Sequence, residues 1–223
     1  MNKTFKISTE YRIAYDSPDH IMPHGTSFDN STSDAFIDES LKYFKSSNLE
    51  NINFLDLGCA GGQLVVDFYK RGNLSIGLEG SDYSIINKRA NWPEWNEKIL
   101  FTCDIARPYT ILYDDTSILF NLITAWEVVE HINTNQLKTF FENINNHLEV
   151  DGLFLASVSV AEDVINGYRL HQSVFPKDVW YEKLKNELLI DTNLIIEEYP
   201  FTTYVRGGSN VQDSFHLCLK KIK

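Results

Sequence analysis

Residues 53–69, NFLDLGCAGGQLVVDFY, constrain what this chain can fold into more than any other stretch. The apolar run halts at Gly58, Gly61 and Gly62 and resumes with Leu64, Val65, Val66 and Phe68. Phe54, Leu55 and Leu57 suit a buried strand, whereas Leu64, Val65 and Phe68 fall on one face of a following helix. The stretch therefore reads as strand, glycine turn, helix. Glycine permits positive φ and lets backbone approach a ligand with no Cβ in the way. The first turn of the helix aims its unpaired N–H groups into the same space. A ligand is expected against that turn.

From Asn53 onward short apolar runs alternate with helical patterns. Strands are expected at 53–57, 74–79, 98–101, 119–125 and 152–159, with helices near 62–71, 82–91 and 134–147. That alternation implies repeated βαβ units, a mostly parallel doubly wound sheet and helices on both faces. After Pro176 a helix with Val179, Trp180, Lys183 and Leu184 runs toward residue 189. Strands at 194–199 and 213–219, joined by a loop containing VRGGSN, complete the pattern. In the last one Phe215, Leu217 and Leu219 alternate with His216, Cys218 and Lys220, as in an antiparallel strand beside a parallel sheet. Ligands of such sheets lie outside the carboxyl ends of the strands, so candidate chemistry is sought just after each one.

Ahead of this pattern, residues 1–32 read as an irregular arm, with the turn-formers of SPDHIMPHGTSFDN. Ser33 can cap a helix through Lys45 whose buried stripe is Phe36, Ile37, Leu41 and Phe44. The chain thus divides into an arm and helix at 1–48, a lid or substrate segment, and a ligand-binding domain at 49–223.

With 223 residues, 43% of them hydrophobic, the chain can bury the core of one α/β domain. Thirty-one Asp and Glu against twenty Lys and Arg give a net charge of −11, which repels polyanions, so no nucleic-acid partner is expected. The start, MNKTFKISTEYRIAYD, lacks the apolar stretch of a secretory signal, and no run approaches the roughly 20 apolar residues of a membrane helix. A soluble, cytoplasmic protein without membrane insertion is expected. Cys59, Cys103 and Cys218 share no CxxC spacing and are expected to be reduced and packed.

Spacing separates the ligands a glycine turn can take. A phosphate-cradling P-loop needs a Gly-Lys-Ser/Thr where Gln63 and Leu64 stand. A dinucleotide fingerprint beginning at Gly58 needs glycine where Ala60 stands, and glycine or alanine where Gln63 stands. Leu-Asp-Leu-Gly-Cys-Ala-Gly-Gly instead closely resembles the first motif of class I S-adenosylmethionine-dependent methyltransferases, with Ala60 in place of the usual third glycine. The resemblance covers about residues 50–160. It implies a Rossmann-like, seven-stranded sheet with S-adenosyl-L-methionine across the strand ends. It also assigns roles by motif. Glu79 matches the acid that accepts from both ribose hydroxyls, with Gly80 and Ser81 beside it. Asp104 and Ile105 match the pair that reads the adenine. Glu127, after Trp126, matches the motif beside the methionine end, and Asp56, Gly58, Ala60 and Gly62 belong to the first motif. Singly, each of these features is equally at home in an ordinary turn or helix cap. Their weight lies in the order, each at the end of an expected strand.

A sulfonium methyl is already activated, so the protein must align an acceptor and, for a hydroxyl, remove its proton. Candidates cluster in WEVVEHI. If that stretch opens a helix, Glu127, Glu130 and His131 share one face. His131 is then a general base, oriented by Glu130, and the alternative is a packing residue at the helix start. His171, in the loop after the fifth strand, contacts substrate, acts as the base itself, or packs with Trp180. His24 lies in the arm. The spacing of Glu127, Glu130 and His131, with His171 further on, also resembles the metal-binding set of small-RNA 2′-O-methyltransferases. That likeness implies a divalent metal on two carboxylates and two imidazoles, as an alternative reading.

The arm and the RLHQSVFP segment loosely resemble methyltransferases of glycan modification, which points to O-methylation of a sugar, glycan or other small polar acceptor. EVVEHI also suits enzymes of quinone-like aromatic acceptors. A cofactor-binding partner protein without turnover is the non-enzyme alternative.

Overall fold

Phe54, Leu55 and Leu57 are buried to 1% exposure or less in strand β1, Asn53–Leu57, because this strand lies inside the sheet and has both faces covered. On one side it pairs in parallel with β2, Leu74–Glu79, which pairs in turn with β3, Leu100–Thr102. On the other side lie β4, Phe120–Trp126, and β5, Leu148–Ser159, also parallel. The sheet ends with β6, Leu194–Glu197, and β7, Ser214–Lys221, inserted antiparallel between β5 and β6. The seven strands run in the order β6-β7-β5-β4-β1-β2-β3. The chain leaves β1 toward one edge and resumes at β4 toward the other, so the switch point of the sheet falls beside the carboxyl end of β1, where the glycine bend is. This computed structural model describes residues 4–207 and 213–223. The first three residues of the arm and most of the glycine-serine part of the VRGGSN loop lie outside the described residues.

Four helices cover the sheet. In α1, Asp34–Ser46, the Ser33 hydroxyl accepts from Phe36 N at 3.2 Å, and Phe36, Ile37 and Phe44 are buried, as the stripe requires. Helix α2, Gln63–Lys70, buries Leu64, Val65, Val66 and Phe68, and the Phe68 ring stacks on Phe54 with centroids 3.9 Å apart. Helix α3 is Leu137–His147. Helix α4, Lys177–Lys183, buries Trp180 and continues as a wider turn through Leu188. Among the described residues no helix is long and apolar enough to cross a membrane. Cys59, Cys103 and Cys218 are free and buried.

Several expectations are corrected. Of the helix expected at 82–91 only the single turn Tyr83–Ile86 forms; Lys88 and Ala90 then take positive φ, and another turn, Trp92–Trp95, follows beyond it. Pro93 fits the start of the second turn but not a helix interior. The third strand is shifted to Leu100–Thr102, and α3 begins three residues later than the pattern implied. The arm is not irregular throughout. Phe5–Ser8 pairs antiparallel with Thr110–Tyr113, and two short helices follow, Pro18–Ile21 and His24–Phe28. Asp104 N donates to Tyr11 O and Ala14 N to Gly80 O, both at 2.9 Å, and Gly61 N donates to Asp29 O at 3.1 Å. Fastened at both ends, residues 15–28 span the carboxyl edge of the sheet.

Candidate active site

A cavity of about 840 Å³ lies between that span and the strand ends, within the range of small-molecule sites. The bend after β1 supplies Gly58 and Ala60, the end of β2 supplies Glu79, Gly80 and Ser81, and the turn after β3 supplies Asp104 and Ile105. Trp126, Glu127 and His131 come from β4 and the turn after it, and His171 from the loop after β5.

The bend is shaped by close approach. Gly58 has φ 71°, and a Cβ there would lie 2.5 Å from Val128 Cγ2. Its N–H and that of Cys59 both donate to Leu78 O, at 2.8 and 3.0 Å. Ala60 also occupies the left-handed region, at φ 45°, where the resembled family has glycine. Gly62 (φ 79°) and Asp56 do not line the cavity. A Cβ at Gly62 would meet Leu100 Cδ1 at 2.6 Å, so this glycine lets α2 start against β3. Asp56 lies beneath the bend, accepts the Thr124 hydroxyl at 2.6 Å, and is pushed up to about 7 by burial.

Glu79 is 7% exposed. Its Oε2 accepts from Ala60 N at 2.8 Å and its Oε1 from Ser81 N at 3.2 Å, with the Thr26 hydroxyl at 3.4 Å. Burial raises its pKa against the pull of these donors. Asp104 accepts from Ala106 N at 3.0 Å, and burial raises it too. Glu127 is held at φ 55° by its N–H donating to Ser157 Oγ at 2.8 Å. Its Oε1 is buried with no partner among the described residues, as is Trp126 Nε1. Buried polar atoms left open beside a cavity are what a polar ligand satisfies. Carboxylates at the ends of β2, β3 and β4 form the acceptor set that hydroxyl, amino and ammonium groups need, so these residues fit an adenosyl cofactor.

WEVVEHI does not open a helix. Val129–His131 is one 3-10 turn, so Glu127 shares no helix face with Glu130 and His131. Glu130 is fully buried and off the cavity wall. Its Oε1 accepts from Ser159 N at 3.0 Å, and its carbonyl accepts from Gln172 N and Ser173 N at 2.7 and 2.9 Å, which pins the His171 loop to the turn. Its Oε2 has no partner among the described residues. His131 Nδ1 lies 2.9 Å from Asp19 Oδ2 of the arm. His171 Nδ1 lies 2.6 Å from Ala161 O; a carbonyl only accepts, so this nitrogen carries a proton, and Nε2 has no hydrogen-bond partner among the described residues. The two rings are 4.7 Å apart at 74°. One donor atom each from Glu130, His131 and His171 lie within 4.8 Å of one another, and Glu127 stands outside this group.

Burial pushes Glu130 up to about 8, although His131 opposes it. Burial pushes His131 down, but the bond to Asp19 and the charges of Asp19, Glu130 and Glu127 outweigh that and set it at about 9. Near neutral pH His131 is therefore charged, and His171 keeps one ring nitrogen without a hydrogen bond among the described residues. Asp19, Thr26 and Arg206, whose guanidinium pairs with Asp29 across the mouth, escape sequence reasoning. Their partners are far away along the chain, and Asp19 carries only the local signal of a residue capped by Ser17.

The strand order, the switch point and the acidic strand ends define the class: this is the fold of the class I S-adenosylmethionine-dependent methyltransferases. Residues 30–192 match the family model described as "Methyltransferase domain", and the chain belongs to that family. It is 29% identical over 148 residues to Sphingolipid C9-methyltransferase 1 of Gibberella zeae, covering 59% of this chain and 27% of that protein. The chain thus spans about a quarter of that curated relative's length. A solved S-adenosylmethionine-dependent methyltransferase from Clostridium acetobutylicum ATCC 824 superposes with a TM-score of 0.59 at 13% identity, covering 92% of this chain and 96% of that one. The glycopeptide N-methyltransferase MtfA, complexed with S-adenosyl-L-homocysteine, does so with a TM-score of 0.54 at 14% identity, covering 91% and 97%. At such identities the likeness is one of fold.

Proposed function

We propose that the chain is an S-adenosylmethionine-dependent O-methyltransferase whose acceptor is a hydroxyl of a sugar, glycan or other small polar molecule. The observation that carries this reading is the pair of facing imidazoles, backed by Glu130, in one cavity with the strand-end carboxylates. The cofactor supplies an activated methyl group on a sulfonium. Glu79, braced by two backbone N–H groups, accepts the ribose hydroxyls, Asp104 and Ile105 hold the adenine, and the open Glu127 Oε1 receives the methionine end. His171 Nε2 takes the acceptor's proton, while charged His131 donates a hydrogen bond and fixes the acceptor's orientation. The arm, as a lid, excludes water from this space. Asp16, Asp29, Glu162 and Asp163 also line the cavity, and they favour a hydroxyl-rich acceptor over a phosphate-rich one.

The grouping of Glu130, His131 and His171 favours a second reading, in which they hold a divalent cation. One carboxylate and two imidazoles, each with Nδ1 already engaged, fit such an ion. Its chemistry there would be to lower the pKa of the acceptor hydroxyl.

The test is incubation of the full chain with methyl-labelled cofactor and a panel of methyl glycosides, nucleotide sugars, catechols and small RNA, with and without chelator. Transfer to a sugar hydroxyl supports the first reading. Its loss on chelation and return with Mg²⁺ or Mn²⁺ supports the second. Transfer only to catechols or RNA overturns the sugar acceptor, and cofactor binding without any transfer leaves a partner protein.

A further inference from the structure

We propose that Asp19 is the positioning residue for His131, and that the arm carries it so that His131 is oriented only when the arm is docked. This rests on the reading of His131 as an acceptor-facing group.

His131 and His171 are held in the same way by different means. Each ring is anchored through Nδ1, and one donor atom from each lies within 4.8 Å of the other and of Glu130. For His171 the anchor is the Ala161 carbonyl, part of the loop that follows β5. For His131 it is Asp19, 112 residues earlier in sequence and on the arm. An anchor of this kind fixes both the ring's orientation and which nitrogen is engaged. Asp19 is itself set in place, because its N–H donates to Ser17 Oγ at 3.3 Å and Pro18 starts the short helix that carries it.

The arm is fastened to the body before and after this helix, by Ala14 N to Gly80 O and by Asp29 O to Gly61 N. Between these points it reaches the opposite wall of the cavity through Asp19 and the β2 end through Thr26 and Glu79. Arm docking therefore touches both halves of the site at once. Glu79 is where the cofactor's ribose is read, and His131 is where the acceptor is received. Undocking releases the His131 ring and leaves His171 anchored.

The test uses the full chain with uniformly ¹⁵N-labelled histidine. In the wild-type protein the His131 Nδ1–H proton is expected far downfield and slow to exchange. Asp19→Ala is expected to lose this resonance while the one from His171 stays, and Asp19→Glu is expected to restore it in part. A purely structural role would disturb both rings or neither. In hydrogen–deuterium exchange, S-adenosylhomocysteine is expected to slow the amides of residues 15–28 several-fold in wild type and much less in Asp19→Ala. Persistence of the His131 resonance in Asp19→Ala overturns the proposal, and so does equal protection of the arm in both proteins. If instead His131→Ala transfers methyl groups at the wild-type rate, the reading of His131 fails while its contact with Asp19 stands.

Discussion

Thr124 donates its hydroxyl to Asp56 at 2.6 Å, between partner residues of adjacent parallel strands directly beneath the glycine bend. Burial pushes the Asp56 carboxyl up to about 7, and Glu79 adds to that against the Thr124 bond. Near or below that pH a protonated acid sits there, and an amide offers the same acceptor at nearly the same volume. Asp56→Asn is expected to fold, with Tm within a few degrees of wild type at pH 6. Melting curves from pH 5 to 8 check this, and a loss of folding at pH 6 would show that the ionised form is what the core requires.

The cluster around His131 predicts an unusual pH dependence of stability. Asp56, Glu130 and His131 all have folded pKa values above their ordinary ones, at about 7, 8 and 9. The folded chain then holds more protons than the unfolded chain, so stability falls as pH rises. Asp56 contributes between about 4 and 7, Glu130 between about 4.5 and 8, and His131 between about 6.5 and 9. Tm of the ligand-free protein is expected to decline steadily from pH 5.5 to 9 and to decline less in Glu130→Gln. A flat profile, or one with its maximum at pH 8, contradicts the burial of Asp56 and Glu130 and the pairing of His131 with Asp19.

Backbone geometry at the bend separates two substitutions that look alike in sequence. Gly62→Ala places a Cβ at positive φ and 2.6 Å from a buried leucine. Left-handed strain of about 1–2 kcal/mol adds to overpacking of about 1–3 kcal/mol, so a loss of roughly 2–5 kcal/mol is expected in urea melts. Ala60→Gly relieves strain already present at φ 45°, and the greater freedom of the unfolded chain offsets most of that gain. Its expected change is within about 1 kcal/mol.

Glu79 binds the bend as well as facing the cavity. Glu79→Ala removes a charged acceptor from Ala60 N and Ser81 N and from any ribose. At about 1.5–3 kcal/mol for a charged hydrogen bond, affinity for S-adenosylhomocysteine is expected to fall roughly 10- to 100-fold in calorimetry. Unchanged affinity would place the cofactor's ribose elsewhere.

The sheet was legible because its signal is local. Phe54, Leu55 and Leu57 form a near-continuous apolar run, as in a strand covered on both faces, and Phe215, Leu217 and Leu219 alternate with His216, Cys218 and Lys220, of which Cys218 is buried as well. The glycine bend and the strand-end acids were legible for the same reason, since each sits at a fixed step from a strand. What was hidden depends on distant partners. Phe5–Ser8 became a strand only because Thr110–Tyr113 lies beside it, and nothing near Asp19 announces His131. The turn at WEVVEHI was misread because three polar residues at helical spacing imply a shared face only if the backbone is helical. Here Glu127 takes a positive φ at the strand end, and the turn that follows sends Glu130 inward. The helix expected at 82–91 stops at Ile86 because Lys88 and Ala90 take positive φ, which the apolar spacing of Tyr83, Ile85 and Ile86 does not reveal.

His131 and His171 give the sharpest test of the chemistry, because they are alike in kind and differ in their anchors. On the proposed reading His171, whose Nδ1 is held by a carbonyl, takes the acceptor's proton. His171→Ala is expected to cut kcat by about 10²–10⁴ on the acceptor found in the panel, with S-adenosylhomocysteine affinity unchanged within about twofold. His131→Ala is expected to cut transfer by a comparable factor and also to raise KM for the acceptor, because on the same reading its charged ring orients the hydroxyl and does not receive the proton. The pH–rate profile tells them apart. The limb at high pH, where His131 loses its proton at about 9, should vanish in His131→Ala and survive in His171→Ala. The opposite pattern would exchange the two roles and make His131 the base despite its partnership with Asp19.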